Sequence, residues 1–210
     1  MDSFIPFFPL KLVAFPGEQL NLHIFEPRYK QLTRECLNEG KTFGIPVYHK
    51  NEIMDFGTEM RITRLVRTYP TGEMDINTVG LRAFKIHSFE EQVKGKLYAG
   101  GKVSFLENRM DGETENFLRL RKLVKQLVGL IRMDDRLDVD MMTHSFEMAH
   151  KMGLSLEQEY DLLQMTRESQ RQEYMINHLE RALPIVMEME QAKEKIKMNG
   201  HFKHLDPLNF

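Results

Sequence analysis

The sequence predicts an α+β protein in which a β-rich half of about 105 residues is followed by a helical half. Two observations carry this. Up to Leu106, apolar residues alternate with polar ones between frequent turn residues, the period of half-buried strands. Beyond Asn108 the period changes, and Phe117, Leu120, Val124, Leu127, Val128 and Ile131 keep the spacing of a helix with one buried face.

In chain order, Phe8 to Phe15 and Gln19 to Phe25 read as strands on either side of a Pro16-Gly17 turn. In the second, Leu20, Leu22 and Ile24 form the inward face while Asn21 and His23 point away. The alternation stops at Glu26-Pro27, where proline suits a first helical position because its missing N–H has no partner to lose there. Tyr29, Leu32, Thr33, Cys36 and Leu37 then form a helical stripe, and Gly40 stands where a left-handed cap belongs. Thr42 to His49 reads as an edge strand because Pro46 cannot donate to a ladder. Gly57 to Thr68 and the alternating Met74, Ile76 and Thr78 make a hairpin around Thr71-Gly72. A separate strand through Phe84 and Ile86 follows Gly80, and a last one runs from Leu97 to Leu106, loosened by Gly100-Gly101. Many short strands of this kind predict a strongly bent sheet or partly open barrel.

In the helical half, Asp140 is expected to cap a helix through Met148 to Met152, ended by Gly153. Ser155 with Gln158 is a capping box opening a short helix with Tyr160, Leu162 and Leu163. From Thr166 to about Met198 runs one long helical pattern, with Met175, Leu179, Leu183, Val186 and Met187 on one side. Pro184 inside it predicts a kink or break near residue 183, and Gly200 ends it. The expected division is residues 1–106 as the β-rich subdomain, 107–200 as the helical subdomain and 201–210 as a loose tail.

Composition excludes several classes of function. The 29 basic side chains are balanced by 31 acidic ones, so strong electrostatic binding of nucleic acid is not expected. Cys36 is the only cysteine, which forbids an internal disulfide and points to a reducing, cytoplasmic setting. On its helix stripe it reads as a packing thiol. No apolar run has the length of a membrane span, and Pro6, Pro9 and Pro16 interrupt the N-terminus.

No constellation of catalytic side chains emerges. Gly95 and Gly100 have the spacing of a phosphate-binding loop, but Gly101 stands where its lysine must be. His201, His204 and Asp206 would make only a tail cluster, and His144 and His150 fall on different faces of a helix. No cofactor is implied. Along a regular strand Arg61 and Arg67 would share a face with Arg64 opposite, and Tyr69 and Tyr98 are candidates for stacking on bases. Met133, Met141, Met142, Met148, Met152 and Met165 suggest either core filling or an adaptable apolar surface. Adjacent helical residues cannot both point inward, so one of Met141 and Met142 should reach solvent.

Phe8-Pro9-Leu10, Phe15-Pro16-Gly17, the His23 to Tyr29 run, Phe43-Gly44, Gly57-Thr58 and Gly80-x-Arg82-x-Phe84-x-Ile86 recur in this order in a known family. In these residues the chain resembles the amino-terminal domain of the Lon protease, also found in cereblon and in free-standing proteins. The helical half is similar to the same family's helical extension. The resemblance implies a six-stranded, PUA-like pseudo-barrel followed by a helical bundle with a long final helix. It also implies capture of protein substrates; the ATPase and Ser-Lys peptidase modules that follow this region in full-length Lon are not expected here, as the sequence carries no Walker motif. The function expected is therefore that of a non-catalytic polypeptide-binding module, a substrate adaptor or scaffold. Its expected partners are unfolded or damaged polypeptides, or a protease or chaperone, and it needs no membrane. RNA binding through the barrel is the alternative, by analogy of fold alone. The expected contact residues are Glu26 and Arg28, at the start of the first helix, with Met141 and Met142. Arg28 opposes the helix dipole, so it either pairs internally, with Glu26 or another acidic neighbour, or is held for an external partner. The helix past Pro184 is left to pack on its own domain or to join a homo-oligomer.

Overall fold

The computed structural model describes residues 3–131 and 138–201, with side chains through residue 197. Met133, His204, Asp206, the tail 202–210 and the His201 side chain lie outside the described residues. Six strands form one sheet: β1 (Ser3–Phe7), β2 (Gln19–Ile24), β3 (Phe43–His49), β4 (Glu52–Thr68), β5 (Met74–Glu90) and β6 (Ala99–Phe105). The order is β2-β5-β4-β3-β1-β6, and β6 returns to pair with β5, so five strands make a ring to which β2 is appended. Helix α1 (Pro27–Glu39) links β2 to β3. Helices α2 (Thr114–Leu130), α3 (Leu156–Gln164) and α4 (Glu168–His201) follow, with two 3-10 turns (Val139–Met141 and Ser145–Lys151) between α2 and α3.

Local signals place α1 well. Pro27 starts it and Gly40 closes it at φ 65°, with its N–H bonded to the Cys36 carbonyl. Tyr29, Leu32 and Cys36 are buried in one cluster with Phe43, Met60 and Ile76, and Thr33 is buried too, whereas Leu37 at the helix end is exposed. Gly72 takes φ 79° in the β4–β5 hairpin. The Ser155–Gln158 capping box forms as expected, closing the first turn of α3.

Several expectations are corrected. The first strand is Ser3–Phe7 rather than Phe8 to Phe15; the latter segment makes only a single bridge, Leu10 to Val47. Pro46 does not mark an edge, since β3 lies between β1 and β4. It sits at a register shift, where a missing N–H costs least. The two strands expected around Gly80 are one continuous β5, whose first half pairs with β2 and whose second half pairs with β6. Gly101 does not loosen β6: a Cβ there would lie 2.0 Å from the Ser88 carbonyl oxygen, so the residue is what allows β5 and β6 to close the ring.

The helix expected from Asp140 is two 3-10 turns instead. Asp138 caps the first, and Asp140 pairs with Arg121 and Lys125 of α2. Helix α4 runs through Pro184 without a break. Pro184 and Glu180 are exposed, so the carbonyl that loses its N–H partner faces solvent. Ile131 and Met187, expected on buried stripes, are exposed.

Three apolar clusters result. Ile5, Phe7, Phe84 and Val103 fill the closed end of the ring, and α1 covers the cluster around Phe43, Ile45 and Met60. The third joins both halves of the chain: Val13, Phe15, Val47 and Ala83 pack with Leu120, Phe146, Met148, Leu162, Met175 and Leu179. The rings of Phe15 and Phe146 stack there, with centroids 5.1 Å apart.

Candidate functional site

Two grooves meet at the start of α1. Glu26 precedes the helix in extended conformation and does not cap it. Its carboxylate instead accepts from Arg28 Nε at 2.9 Å and pairs with Nη2 at 2.8 Å. The Arg28 guanidinium also lies 4.6 Å from the centroid of the Tyr29 ring. Arg28 thus pairs internally, and about half of it stays in water.

The larger groove, about 880 Å³, opens between the start of α1, the β3–β4 hairpin and the end of β5. Tyr29, Tyr48, Ile53, Ile86 and Phe89 supply its apolar wall, with Arg28, Glu52 and Asp55 on the rim. Phe89 is 40% exposed, and its ring stacks on that of buried Phe7 at 6.1 Å. Burial pushes the Tyr29 hydroxyl above its usual range, although Arg28 opposes the shift. The smaller groove, about 290 Å³, lies beside β2 between Leu22 to Glu26 and Phe8 to Leu10.

Met141 and Met142 stand elsewhere, over a hollow of about 600 Å³ by the Pro16-Gly17 turn, so the structure does not bring them to Glu26 and Arg28. Met141 is 75% exposed, while Met142 packs half-buried on the helical core. Met148 and Met152 are core residues, which confines the exposed methionine surface of this region to Met141 and its neighbours.

The other singled-out residues have structural positions. The Cys36 thiol is buried, and burial together with nearby Glu35 and Glu39 pushes its pKa up to about 12, so it carries no thiolate near neutrality. His23 is held by Asp75 at 2.7 Å and His49 by Glu157 at 2.8 Å. His150 lies between Glu159, 2.7 Å away, and Glu18 of the β half at 3.2 Å. Tyr98 is not available for stacking: it is buried, and its hydroxyl donates to Glu35 at 2.5 Å. The Tyr69 hydroxyl donates to Asp75, with Arg67 over the ring. Register shifts at Ile62/Arg64 and Leu65/Arg67 break the strict alternation expected for Arg61, Arg64 and Arg67.

Sequence reasoning missed Tyr48, Ile53 and Phe89. Only the continuity of β5 past Ile86 carries Phe89 to the groove, and no local signal marks that continuity. Among the described residues no helix is long and apolar enough to cross a membrane.

A family model described as the ATP-dependent protease La (LON) substrate-binding domain matches residues 5–192. Among solved structures, a Lon N-terminal domain protein from Xanthomonas campestris is similar, with a TM-score of 0.65 and 26% identity; the match covers 83% of this chain and 98% of that one. The N-terminal domain of the Mycobacterium avium complex Lon protease has a TM-score of 0.63 at 13% identity, covering 85% and 98%, and shows the shared fold alone.

Proposed function

We propose that this chain, which belongs to the family of Lon substrate-binding domains, is a non-catalytic module that captures apolar segments of unfolded or damaged polypeptides, as a substrate adaptor or scaffold. The observation that carries this reading is the larger groove. Its wall of two tyrosines, two isoleucines and Phe89 offers burial, and its rim of Arg28, Glu52 and Asp55 offers orientation, the composition of a recognition cleft. Aromatic side chains bury large areas with few rotatable bonds, which suits a site that takes varied sequences. The reading as a non-enzyme is supported by the state of the residues a nucleophilic mechanism would recruit. Cys36 is buried and protonated, and none of the hydrogen bonds of His23, His49 and His150 joins the ring to a serine or cysteine. A lone buried thiol fits a reducing compartment such as the cytoplasm.

The test is fluorescence anisotropy with a labelled, permanently unfolded protein. Micromolar binding is expected, weakened about tenfold or more by Phe89→Asp or Ile53→Asp without loss of the folded state. Absence of binding at about 100 µM, equivalent to less than about 5.5 kcal/mol of association energy, refutes the reading.

A further inference from the structure

Five strands close the ring, and the sixth, β2, hangs outside it on β5. The second half of β5, from Phe84 to Glu90, pairs with β6, and β6 pairs with β1 from Ser3 to Phe7. The first half pairs with β2, with Gln19 to Ile24 facing Val79 to Met74. Among the described residues β2 pairs with β5 alone. In an antiparallel pair every second residue turns its N–H and C=O away from the partner. Half of β2 therefore presents unpaired donors and acceptors along its free side, a template for another strand.

The smaller groove lies along that side. It touches Leu22, His23, Ile24 and Phe25 in succession. Consecutive strand side chains alternate between faces, so a hollow that touches Leu22, His23 and Ile24 lies at the edge of the second half of β2, and β5 occupies the other edge. Across the groove, Phe8 to Leu10 is committed to β3: the Phe8 N–H donates to the Gly44 carbonyl, and the Leu10 carbonyl accepts from Tyr48 N–H. Phe8 and Tyr29 form the floor, their ring centroids 3.9 Å apart, and Phe25 stands 58% exposed at the end. Charge selects among occupants. Arg28 is paired with Glu26, and the His23 ring is hydrogen-bonded to Asp75 with Glu73 3.8 Å away, so each basic side chain lining the slot already has an acidic partner. What remains unmatched are the partial charges of backbone N–H and C=O groups and the apolar surface of Leu22 and Phe25. A phosphate backbone meets no free cation there, and a helix has no backbone groups to offer.

We infer that the free edge of β2 is a strand-addition site, which takes an extended, uncharged polypeptide segment as an extra strand and sets one of its alternate apolar side chains on Phe8, Leu22 and Phe25. This rests on the polypeptide-binding reading and adds a second contact for the same kind of partner, at a groove that adjoins the larger one at Arg28 and Tyr29. Backbone pairing supplies affinity that is independent of sequence, while the shallow hollow beside it asks only for an apolar residue at alternate positions. That is the selectivity expected of a receptor for unfolded chains.

The test is a short peptide alternating Val or Phe with Thr, made with its backbone N–H groups methylated along one edge or along the other. One methylated series is expected to bind about tenfold or more weakly than the parent, because its methyl groups block pairing with β2, while the other binds like the parent. Alternate backbone amides between Gln19 and Ile24 are expected to gain hydrogen-exchange protection with the parent peptide. Equal binding by both series, or no binding by the parent peptide, overturns strand addition; capture at the larger groove is decided separately by the unfolded-protein titration and its Phe89→Asp and Ile53→Asp variants. Protection of the same amides that grows with protein concentration alone assigns the edge to a second copy of this chain, and protection by an RNA oligonucleotide assigns it to nucleic acid. Either result overturns the inference.

Discussion

Arg171 is the charged side chain on which the helical half turns, and replacing it with alanine is expected to cost about 4 kcal/mol. The side chain is fully buried. Its Nε donates to Ser145 Oγ and Glu168 Oε2, both at 3.0 Å; Nη1 donates to the Met165 carbonyl at 2.8 Å; Nη2 donates to Asn108 Oδ1 at 2.7 Å and Glu168 Oε2 at 2.8 Å. Its guanidinium also lies 4.2 Å from the Phe146 centroid. These contacts tie the segment after β6 and the 145–151 turn to α4. Burial pulls the guanidinium pKa down, and Glu168 opposes it. In Arg171→Ala, Glu168 keeps Ser145 N–H and Oγ as donors but loses its counter-ion at 3% exposure, and Asn108 Oδ1 and the Met165 carbonyl lose their donor. An uncompensated buried carboxylate costs about 3–5 kcal/mol, and each orphaned neutral acceptor adds up to about 1–3 kcal/mol unless water reaches it. Because Glu168 is the larger liability, Arg171→Met with Glu168→Leu is expected to cost less than the sum of the single changes by at least about 2 kcal/mol. Urea denaturation with unchanged m-values reads this out. A loss below about 1 kcal/mol for Arg171→Ala, or additive single changes, refutes the reasoning.

Two further outcomes follow from the same structure. Burial works to lower the pKa of His150, but its hydrogen bonds to Glu159 and Glu18 prevail and raise it from 6.5 to about 9. A raised folded-state pKa stabilises the fold fully below about pH 6.5, and that contribution fades as pH rises towards 9. The shift corresponds to about 3 kcal/mol at most, and screening of a third-exposed imidazole reduces this to about 1–2 kcal/mol. Denaturation midpoints should therefore fall between pH 6.5 and 9 in the parent and flatten in His150→Gln; an unchanged slope refutes the assignment. Gly101→Ala sets a Cβ against the Ser88 carbonyl and should destabilise the β5–β6 closure by about 1–3 kcal/mol, with β6 amides losing hydrogen-exchange protection first. Parent-like stability would show that the two strands separate at little cost.

The features legible in the sequence are those settled within one turn of chain: Pro27 and Gly40 bounding α1, Gly72 in its hairpin, and the Ser155–Gln158 box. Such signals depend on neighbours a few residues away. The misreadings share a different cause. Pro46 has the chemistry of an edge residue, yet ring closure places β3 between two partners, and the register shift resolves the conflict. Gly100-Gly101 looks like slack in a strand, but Gly101 has no side chain because Ser88, thirteen residues earlier, occupies that space. Pro184 is tolerated since the affected carbonyl faces water, a fact of burial that helical spacing cannot express. The same limit applies to the site. Glu26 and Arg28 could be singled out because a cation in a first helical turn is locally out of place, whereas Phe89 could not, since nothing near it in sequence shows that β5 continues. The β2 edge is harder still. Leu20, Leu22 and Ile24 announce a strand with one inner face, and that pattern is the same whether one neighbour or two flank it. Whether an edge is free depends on which other strand fails to reach it, so a binding mode built on backbone pairing leaves no mark in side-chain periodicity.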